Sequence, residues 1–250
     1  MKPSRTDLSV LKKLGFEKRP VAVKFLFSRP TSMEQLSLEK QLSFCEMLKE
    51  AQETGKPFYF GKDNSETCVG KILLGMEEMK PFAESGQIGE ELGVFQEARA
   101  NEALYKHVPR FDRGVVNYVA FSSVERLTFE PDVLVIAATP TQGEIILRSM
   151  TYSTGELYVS KTTPVMGCAW FYIYPYQTGK VNYIFPEFIH GMKGRELFPQ
   201  NTMLISIPYN WLPIMIKNLE EMEIHLPSHA GREQYLSELG RIFAGLDQGE

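Results

Sequence analysis

Hydrophobic positions along the chain recur at helical spacing in some segments and in short continuous runs in others. Leu8, Leu11 and Leu14 lie on one helical face and are followed by Gly15, which predicts a short helix that ends at the glycine. Short runs rich in β-branched and aromatic residues predict strands. Up to residue 124 these patterns predict a strand at 20–27, a helix at 36–53, a strand at 57–61, a helix capped by Asn64 or Ser65 with Cys68 in or near its first turn, a helix at 90–107 and a strand at 113–124.

The second half of the chain twice presents a strand followed by a helix. A fully apolar run at 133–138 predicts a strand, and after a Thr-Pro turn a helix is expected from about Gln142. A second strand runs into a helix after Pro208. An amphipathic segment at 228–246 predicts a C-terminal helix. The aromatic run at 170–179 is interpreted as sheet core with tyrosine hydroxyls at its rim.

Strands that alternate with helices, and that also occur in adjacent pairs, predict a mixed α/β (α+β) fold. We expect a mixed sheet with flanking helices in a single compact domain over residues 1–250, because no repeat, low-complexity tract or linker interrupts the chain. No G-x-G-x-x-G motif follows a predicted strand and no P-loop is present, which disfavours nucleotide cofactors bound by those motifs. No G-x-S-x-G motif supports Ser-His-Asp catalysis.

Composition and charge narrow the class of protein. Of the 250 residues, 43% are hydrophobic and 23% are charged, which is typical of a globular protein. A net charge of −4 and the lack of a long Lys/Arg block argue against a nucleic-acid partner. The charged N-terminal segment has no apolar signal-peptide core, and no run reaches the roughly 20 apolar residues of a membrane span. We therefore expect a soluble, cytoplasmic protein without a membrane partner.

The three cysteines, Cys45, Cys68 and Cys168, are the main candidates for chemistry. An odd number in a reducing compartment argues against a disulfide framework, and such cysteines are ordinarily core residues. Cys68 lies near a predicted helix start, where the helix dipole stabilises a thiolate, and Cys168 follows Gly167, which permits close approach of another group. The cysteines lack the C-x-x-C spacing of a local metal site. Thiolates from separate segments can nevertheless hold an iron–sulfur cluster, or zinc together with a histidine.

Three basic residues and one histidine are candidates for ligand binding. His190 lies in a glycine-rich segment with Lys193 and Arg195, a combination that can recognise a carboxylate or phosphate. Lys24 lies within the strand at 20–27, where a side chain pointing into a cleft could bind an anion. The simpler interpretation of the three basic residues is that they are ordinary charges at the protein surface.

Six segments, taken together, point to one family. They are PVAVKF (20–25), CEMLKEA (45–51), TCVGKILLG (67–75), EPDVLVIAATPTQ (130–142), GCAWFYIYPYQTGKVN (167–182) and ISIPYNWLPIMIKNL (205–219). As a set they resemble the archaeal and bacterial family of unknown function numbered 169, also called ArCR. The resemblance extends over about residues 7–222.

The resemblance implies a protein found largely in archaea and anaerobic bacteria, in a family that mostly lacks an assigned reaction. It implies recurrent cysteines that map onto Cys45, Cys68 and Cys168. Many relatives carry a further cysteine in the segment equivalent to 184–195, which has none here. This departure leaves either a three-thiolate site, with His190 as the nearest candidate for a fourth ligand, or no site.

The leading hypothesis is that Cys45, Cys68 and Cys168 hold a 4Fe–4S cluster with one open iron, and that the protein acts on or senses a small anionic molecule. Lys24, Lys193 and Arg195 are the candidate anion-binding residues of the same cleft. Zinc, or no cofactor, is the alternative. A rival hypothesis is a non-enzymatic ligand-binding or regulatory module, with a homodimer among its forms, whose cysteines are core residues. A third is a thiol enzyme with Cys68 as nucleophile.

Overall fold

Seven strands form one mixed sheet in the computed structural model, which describes residues 6–36, 41–62 and 68–246. The strand order is β2-β3-β4-β1-β5-β7-β6, and neighbouring strands are antiparallel except for the parallel pair β2 and β3. The strands are β1 (Val21–Leu26), β2 (Glu34–Gln35), β3 (Phe58–Gly61), β4 (Tyr118–Ser123), β5 (Val133–Ala138), β6 (Asn182–Ile184) and β7 (Met203–Pro208).

The helices are mostly short. They are α1 (Glu46–Thr54), α2 (Val69–Leu73), α3 (Pro81–Glu84), α4 (Gln87–Glu91), α5 (Ala98–Tyr105), α6 (Pro140–Thr151), α7 (Tyr174–Thr178), α8 (His190–Gly194), α9 (Leu212–Glu221) and α10 (Arg232–Leu246). A 3-10 helix covers Ser9–Leu14, and a π-helix covers Ala169–Ile173. Within the described ranges, no helix is long and apolar enough to cross a membrane.

The sheet is buried on both faces, and β5 explains how the sequence achieves this. Val133, Val135 and Ala137 point into one hydrophobic cluster, whereas the alternating Leu134 and Ile136 point into the other. A strand covered on both faces needs apolar residues at every position, which accounts for the uninterrupted run VLVIAA. The first cluster contains the π-helix and buried residues of α1, and the second contains α6, α9 and the 3-10 helix at Ser9–Leu14.

Several sequence predictions are confirmed. The mixed α/β fold is present, and the strand predicted at 133–138 matches β5 residue for residue. Gly15 ends the first short helix with a left-handed backbone (φ 58°). The helix expected from Gln142 begins at Pro140, because the Thr139 hydroxyl accepts from the Gln142 N–H and the Gln142 side chain accepts from the Thr139 N–H.

The interpretation of the aromatic run at 170–179 as sheet core was wrong. The run forms the π-helix and α7, which pack their aromatic side chains against the sheet. Periodicity alone does not distinguish a short buried helix from a buried strand when nearly every residue is apolar. β6 follows the run at the edge of the sheet.

Two helix boundaries were also wrong. The helix predicted at 36–53 begins at Glu46, because Ser43 and Glu46 form a reciprocal cap: the Ser43 N–H donates to the Glu46 carboxylate, and the Glu46 N–H donates to the Ser43 hydroxyl. The helix predicted at 90–107 is interrupted at Gly93 (φ 68°), so that only α5 covers its second part. Residues 37–40, and the caps expected at Asn64 and Ser65, lie outside the described residues.

A cavity lined by three cysteines: the candidate functional site

The three cysteines each precede a helix, and these helix starts converge. Cys45 precedes α1, Cys68 precedes α2, and Cys168 precedes the π-helix. All three side chains line one cavity of about 250 Å³. No disulfide joins them. The structure therefore brings together the three residues that the sequence analysis singled out, although 123 positions separate the first from the last.

Cys168 is the most enclosed of the three, with 2% of its surface exposed. A hydrogen bond with the Cys45 thiol, together with burial and the proximity of Cys45 and Cys68, raises the pKa of the Cys168 thiol well above its ordinary value. The N–H of Ala169 acts in the opposite direction. Without a bound cation, Cys168 is therefore a neutral thiol at physiological pH.

Cys68 is held at the start of α2. Its sulfur accepts a hydrogen bond from the Gly70 N–H at 3.2 Å. Burial and the nearby Cys45 nevertheless raise the pKa of the Cys68 thiol, and the N–H groups of Phe44 and Gly70 and the charge of Arg195 offset this only in part. The N–H group at the helix start therefore acts in the expected direction, but desolvation outweighs it in the protein without a metal.

Two glycines allow the helix starts to approach one another. A Cβ placed on Gly70 would lie 2.5 Å from the Cβ of Phe44, the residue before Cys45. A Cβ placed on Gly167 would lie 2.9 Å from side-chain atoms of Ile189 and Met192. Both distances are shorter than real Cβ contacts, so the spacing of the three cysteines depends on glycine at these two positions.

The opposite wall of the cavity comes from the segment of α3, α4 and α5. Its lining is mostly apolar, with Met79, Ile88 and Leu92 among the side chains that face the cavity. Asn101 and Tyr105 of α5 add two polar groups to this wall. Sequence reasoning missed both residues, because neither lies in a motif that marks a ligand contact.

Of the four other candidate residues, two line the cysteine cavity and two do not. Arg195 and the exposed His190 line the cavity, and the Arg195 guanidinium lies 3.9 Å from the Glu46 carboxylate. Lys193 is not part of the lining and lies 3.7 Å from Glu187.

Lys24 is on the other face of the sheet from Val23, which packs into the cluster that contains Cys168. Its ammonium group donates to the Glu130 carbonyl at 2.7 Å and lies 3.8 Å from the Asp132 carboxylate. Of the three predicted anion-binding cations, only Arg195 can therefore face a ligand in the cysteine cavity.

The donor set of the cavity fits a thiophilic metal or cluster, because three sulfurs converge in an apolar, shielded place. Their present orientation is that of hydrogen-bonded thiols. Within the part of the chain that the structure describes, no three His, Cys, Asp or Glu side chains are arranged as a finished set of metal ligands.

Larger clefts lie elsewhere on the described surface. One of about 930 Å³ is bordered by the N-terminal 3-10 helix and contains charges of both signs, one of about 670 Å³ lies beside Arg29 and Arg113, and one of about 550 Å³ lies between that 3-10 helix, α6 and the end of α9. None of the three contains a cysteine, and the third contains one histidine, His225. The smaller cysteine cavity is the one of the four that gathers several groups capable of chemistry, so it is the candidate site.

Fold and cavity together define a class: a mixed α/β protein in which three thiols from separate helix starts line one apolar cavity. The family model of the uncharacterised ArCR proteins, domain of unknown function 169, matches residues 10–218, and the chain belongs to this family. The family expectation is thus confirmed, and the matched range contains all three cysteines. A comparison with curated proteins gave no match, and a comparison with solved structures gave none either.

Proposed function

We propose that Cys45, Cys68 and Cys168 ligate an iron–sulfur cluster, a 4Fe–4S cluster with one iron not held by a cysteine, and that the protein acts on or senses a small molecule in the same cavity. The observation that carries the proposal is the convergence of all three cysteines of the chain on one shielded cavity. A cluster held by three thiolates supplies an open iron that can serve as a Lewis acid or an electron relay.

The groups around the thiols bear on this assignment. A metal centre would take the place of the thiol protons, and its positive charge would stabilise the Cys68 and Cys168 thiolates that burial and mutual proximity disfavour. Backbone N–H groups act on the Cys68 and Cys168 sulfurs, and hydrogen bonds of this kind tune iron–sulfur clusters. Arg195 adds a positive charge beside Cys68 that would balance part of the thiolate charge.

Arg195 is also the residue we assign to a small anion beside the cluster. Among the three cations predicted from the sequence, Arg195 is the one that lines the cavity. Its position next to Cys68 would put it within reach of a ligand that approaches the open iron. Its role in this proposal is to attract and orient the anion, while His190 borders the same cavity.

Zinc is the alternative metal, with three cysteines and His190 as a possible ligand set. Metal and sulfide analysis separates the two, because zinc loading leaves no inorganic sulfide. The thiol-enzyme alternative loses support, because burial raises the pKa of Cys68 and so disfavours the thiolate that a nucleophile needs.

The test is anaerobic reconstitution with iron and sulfide of the wild-type protein and of Cys45→Ser, Cys68→Ser and Cys168→Ser. We expect each substitution to abolish or strongly reduce cluster retention after desalting, because each removes one of three thiolate ligands. Met192→Leu is the matched control: it changes a buried cavity residue of similar volume that offers no thiolate, and it should retain the cluster. Equal iron in all three serine variants and the wild type would overturn the proposal.

A further inference from the structure

The cysteine cavity has one permanently charged side chain among its described lining residues, and that side chain is Arg195. Its Nη1 donates to the Gly191 carbonyl at 3.3 Å, and its Nε lies 3.9 Å from the carboxylate of Glu46, the residue after Cys45. Its charge acts to lower the pKa of the Cys68 thiol, because the guanidinium is near that sulfur. The guanidinium therefore lies beside two of the three cysteines.

A ligand can reach the Arg195 guanidinium, because 37% of the surface of this side chain is exposed. The 3.9 Å that separates it from Glu46 is longer than a hydrogen bond, so this ion pair is loose. The Glu46 carboxylate is itself held by the Ser43 N–H, which donates to it at 2.8 Å. A carboxylate on a ligand would make the shorter, charge-assisted hydrogen bonds that a guanidinium forms.

Apolar side chains of the same lining are accessible as well. Leu92 is 55% exposed and Ile88 is 37% exposed, although both are large hydrophobic residues. Met79 and Val165 are half-buried members of this lining. A molecule in the cavity would cover apolar surface on these side chains, which is favourable in proportion to the area removed from water.

Size and charge set limits on that molecule. The cavity volume of about 250 Å³ is just below the range of roughly 300–1,000 Å³ that is usual for ligand pockets, so the molecule is small. No lysine, aspartate or glutamate is among the described lining residues. A dianion such as a phosphate monoester would therefore keep one negative charge without a partner in an apolar place, which is costly. A single carboxylate matches one guanidinium in charge and in planar geometry.

We propose that the cavity binds a small monocarboxylic acid with an apolar body, aromatic or branched. The carboxylate pairs with Arg195, and the body lies against the apolar lining that includes Leu92 and Ile88. This assignment rests on the proposed function in one respect, since it names the class of the small molecule held beside the three thiols. Binding itself needs Arg195 and the apolar lining and does not require a metal.

Three probes separate the charge from the body: phenylacetate, phenylacetamide and acetate. Phenylacetamide has the same body without the charge, and acetate has the same charge without the body. We expect the reduced full-length protein to bind phenylacetate at one site, at least about tenfold more tightly than either of the other two. Calorimetry or ligand-observed NMR gives the three affinities.

A pair of variants on α8 assigns the charge to Arg195. Arg195→Gln should weaken phenylacetate at least about tenfold and leave phenylacetamide unchanged within about twofold, because the amide does not use the charge. Lys193→Gln is the matched control, since it changes the net charge of the protein equally on the same helix but outside the cavity lining. It should bind all three probes as the wild type does.

A pair of exposed leucines assigns the body to the apolar lining. Leu92→Ser should weaken phenylacetate and phenylacetamide to the same extent and leave acetate unchanged, because the serine removes apolar contact without changing the charge. Leu157→Ser is the matched control: Leu157 is 77% exposed and lies outside the cavity lining. Its affinities should equal those of the wild type.

Equal affinity of the wild type for phenylacetate and phenylacetamide, no binding of phenylacetate at millimolar concentration, or tighter binding of acetate or inorganic phosphate overturns the proposal. Equal losses in Arg195→Gln and Lys193→Gln overturn it too. Iron and sulfide are measured on a separate, reconstituted portion of the same preparation. A cluster in protein that does not distinguish the probes refutes the carboxylate site alone, and a phenylacetate preference in protein that never takes up iron refutes the cluster alone.

Discussion

At the scale of single residues, the Cys68 and Cys168 side chains of the cavity are protonated thiols, whereas the ligands of a bound metal are thiolates. The Cys168 thiol is hydrogen-bonded to Cys45, and burial together with neighbouring sulfur raises the pKa values of both Cys68 and Cys168. Cys68 gains one hydrogen bond from the start of α2, but this does not compensate for the loss of water.

The pH dependence of metal binding follows from these pKa values. A metal must displace the protons of Cys68 and Cys168, so its affinity should fall as the pH is lowered and rise as the pH is raised through neutrality. A metal that binds all three thiols displaces three protons, so below the pKa values of the thiols we expect the logarithm of the Cd²⁺ association constant to rise by about three for each pH unit. Titration followed by thiolate-to-metal absorbance measures this slope. An affinity that does not change with pH would contradict protonated thiols as the ligands.

At the scale of secondary-structure elements, the site depends on how three helix starts are placed. The Ser43–Glu46 cap fixes the start of α1, and its S-x-x-E pattern was readable in the sequence. The start of the π-helix is held by buried Asn182, whose side-chain amide donates to the Trp170 carbonyl at 2.7 Å. That long-range bond has no sequence signature, because it connects β6 to a segment twelve residues earlier through the tertiary fold.

Gly70 links α2 to the residue before Cys45, and its replacement tests that contact. We expect Gly70→Ala to destabilise the protein by about 1–3 kcal/mol, because the new methyl group overlaps the Cβ of Phe44 rather than the end of a flexible side chain. Metal retention should also fall, since Cys45 and Cys68 move apart. Chemical denaturation and iron analysis give the two readouts.

Gly194→Ala is the control for this change, because a Cβ at Gly194 meets no atom within 4 Å. Its stability should stay within about 0.5 kcal/mol of wild type. If Gly70→Ala is as stable as the control and loads iron normally, the close approach of the two helix starts does not determine the site.

At the scale of the whole molecule, the sequence was sufficient for the class of fold and for the strands with strong patterns. The fully apolar β5 was predicted without error, because a strand covered on both faces has a distinct signature. The convergence of the cysteines was a hypothesis taken from their number and from a family resemblance. Periodicity could not supply it, since the packing of the helices on the sheet, and not the local sequence, brings the three short helix starts together. Asn101 and Tyr105 were not foreseen for the same reason.

The C-terminal helix α10 stands apart from this arrangement. It lies beyond the range matched by the family model, and none of its residues is buried. We expect a chain ending at Gly231 to keep the thermal midpoint of the full-length protein within about 2 °C and to load metal equally well, because no core residue is lost. Differential scanning calorimetry measures the first quantity. A large drop in the midpoint would instead mean that α10 packs against another molecule, such as a second copy of the chain.

The most direct test of the central claim is iron and sulfide quantitation, with a Mössbauer spectrum, on wild-type protein purified and reconstituted without oxygen. The account predicts about four irons and four sulfides per chain, with one iron distinguishable from the other three by its different ligand. Stoichiometric zinc without sulfide would contradict the cluster and support the zinc site instead. Protein that holds no metal and no sulfide would contradict both and leave the three cysteines as core residues around a ligand cavity.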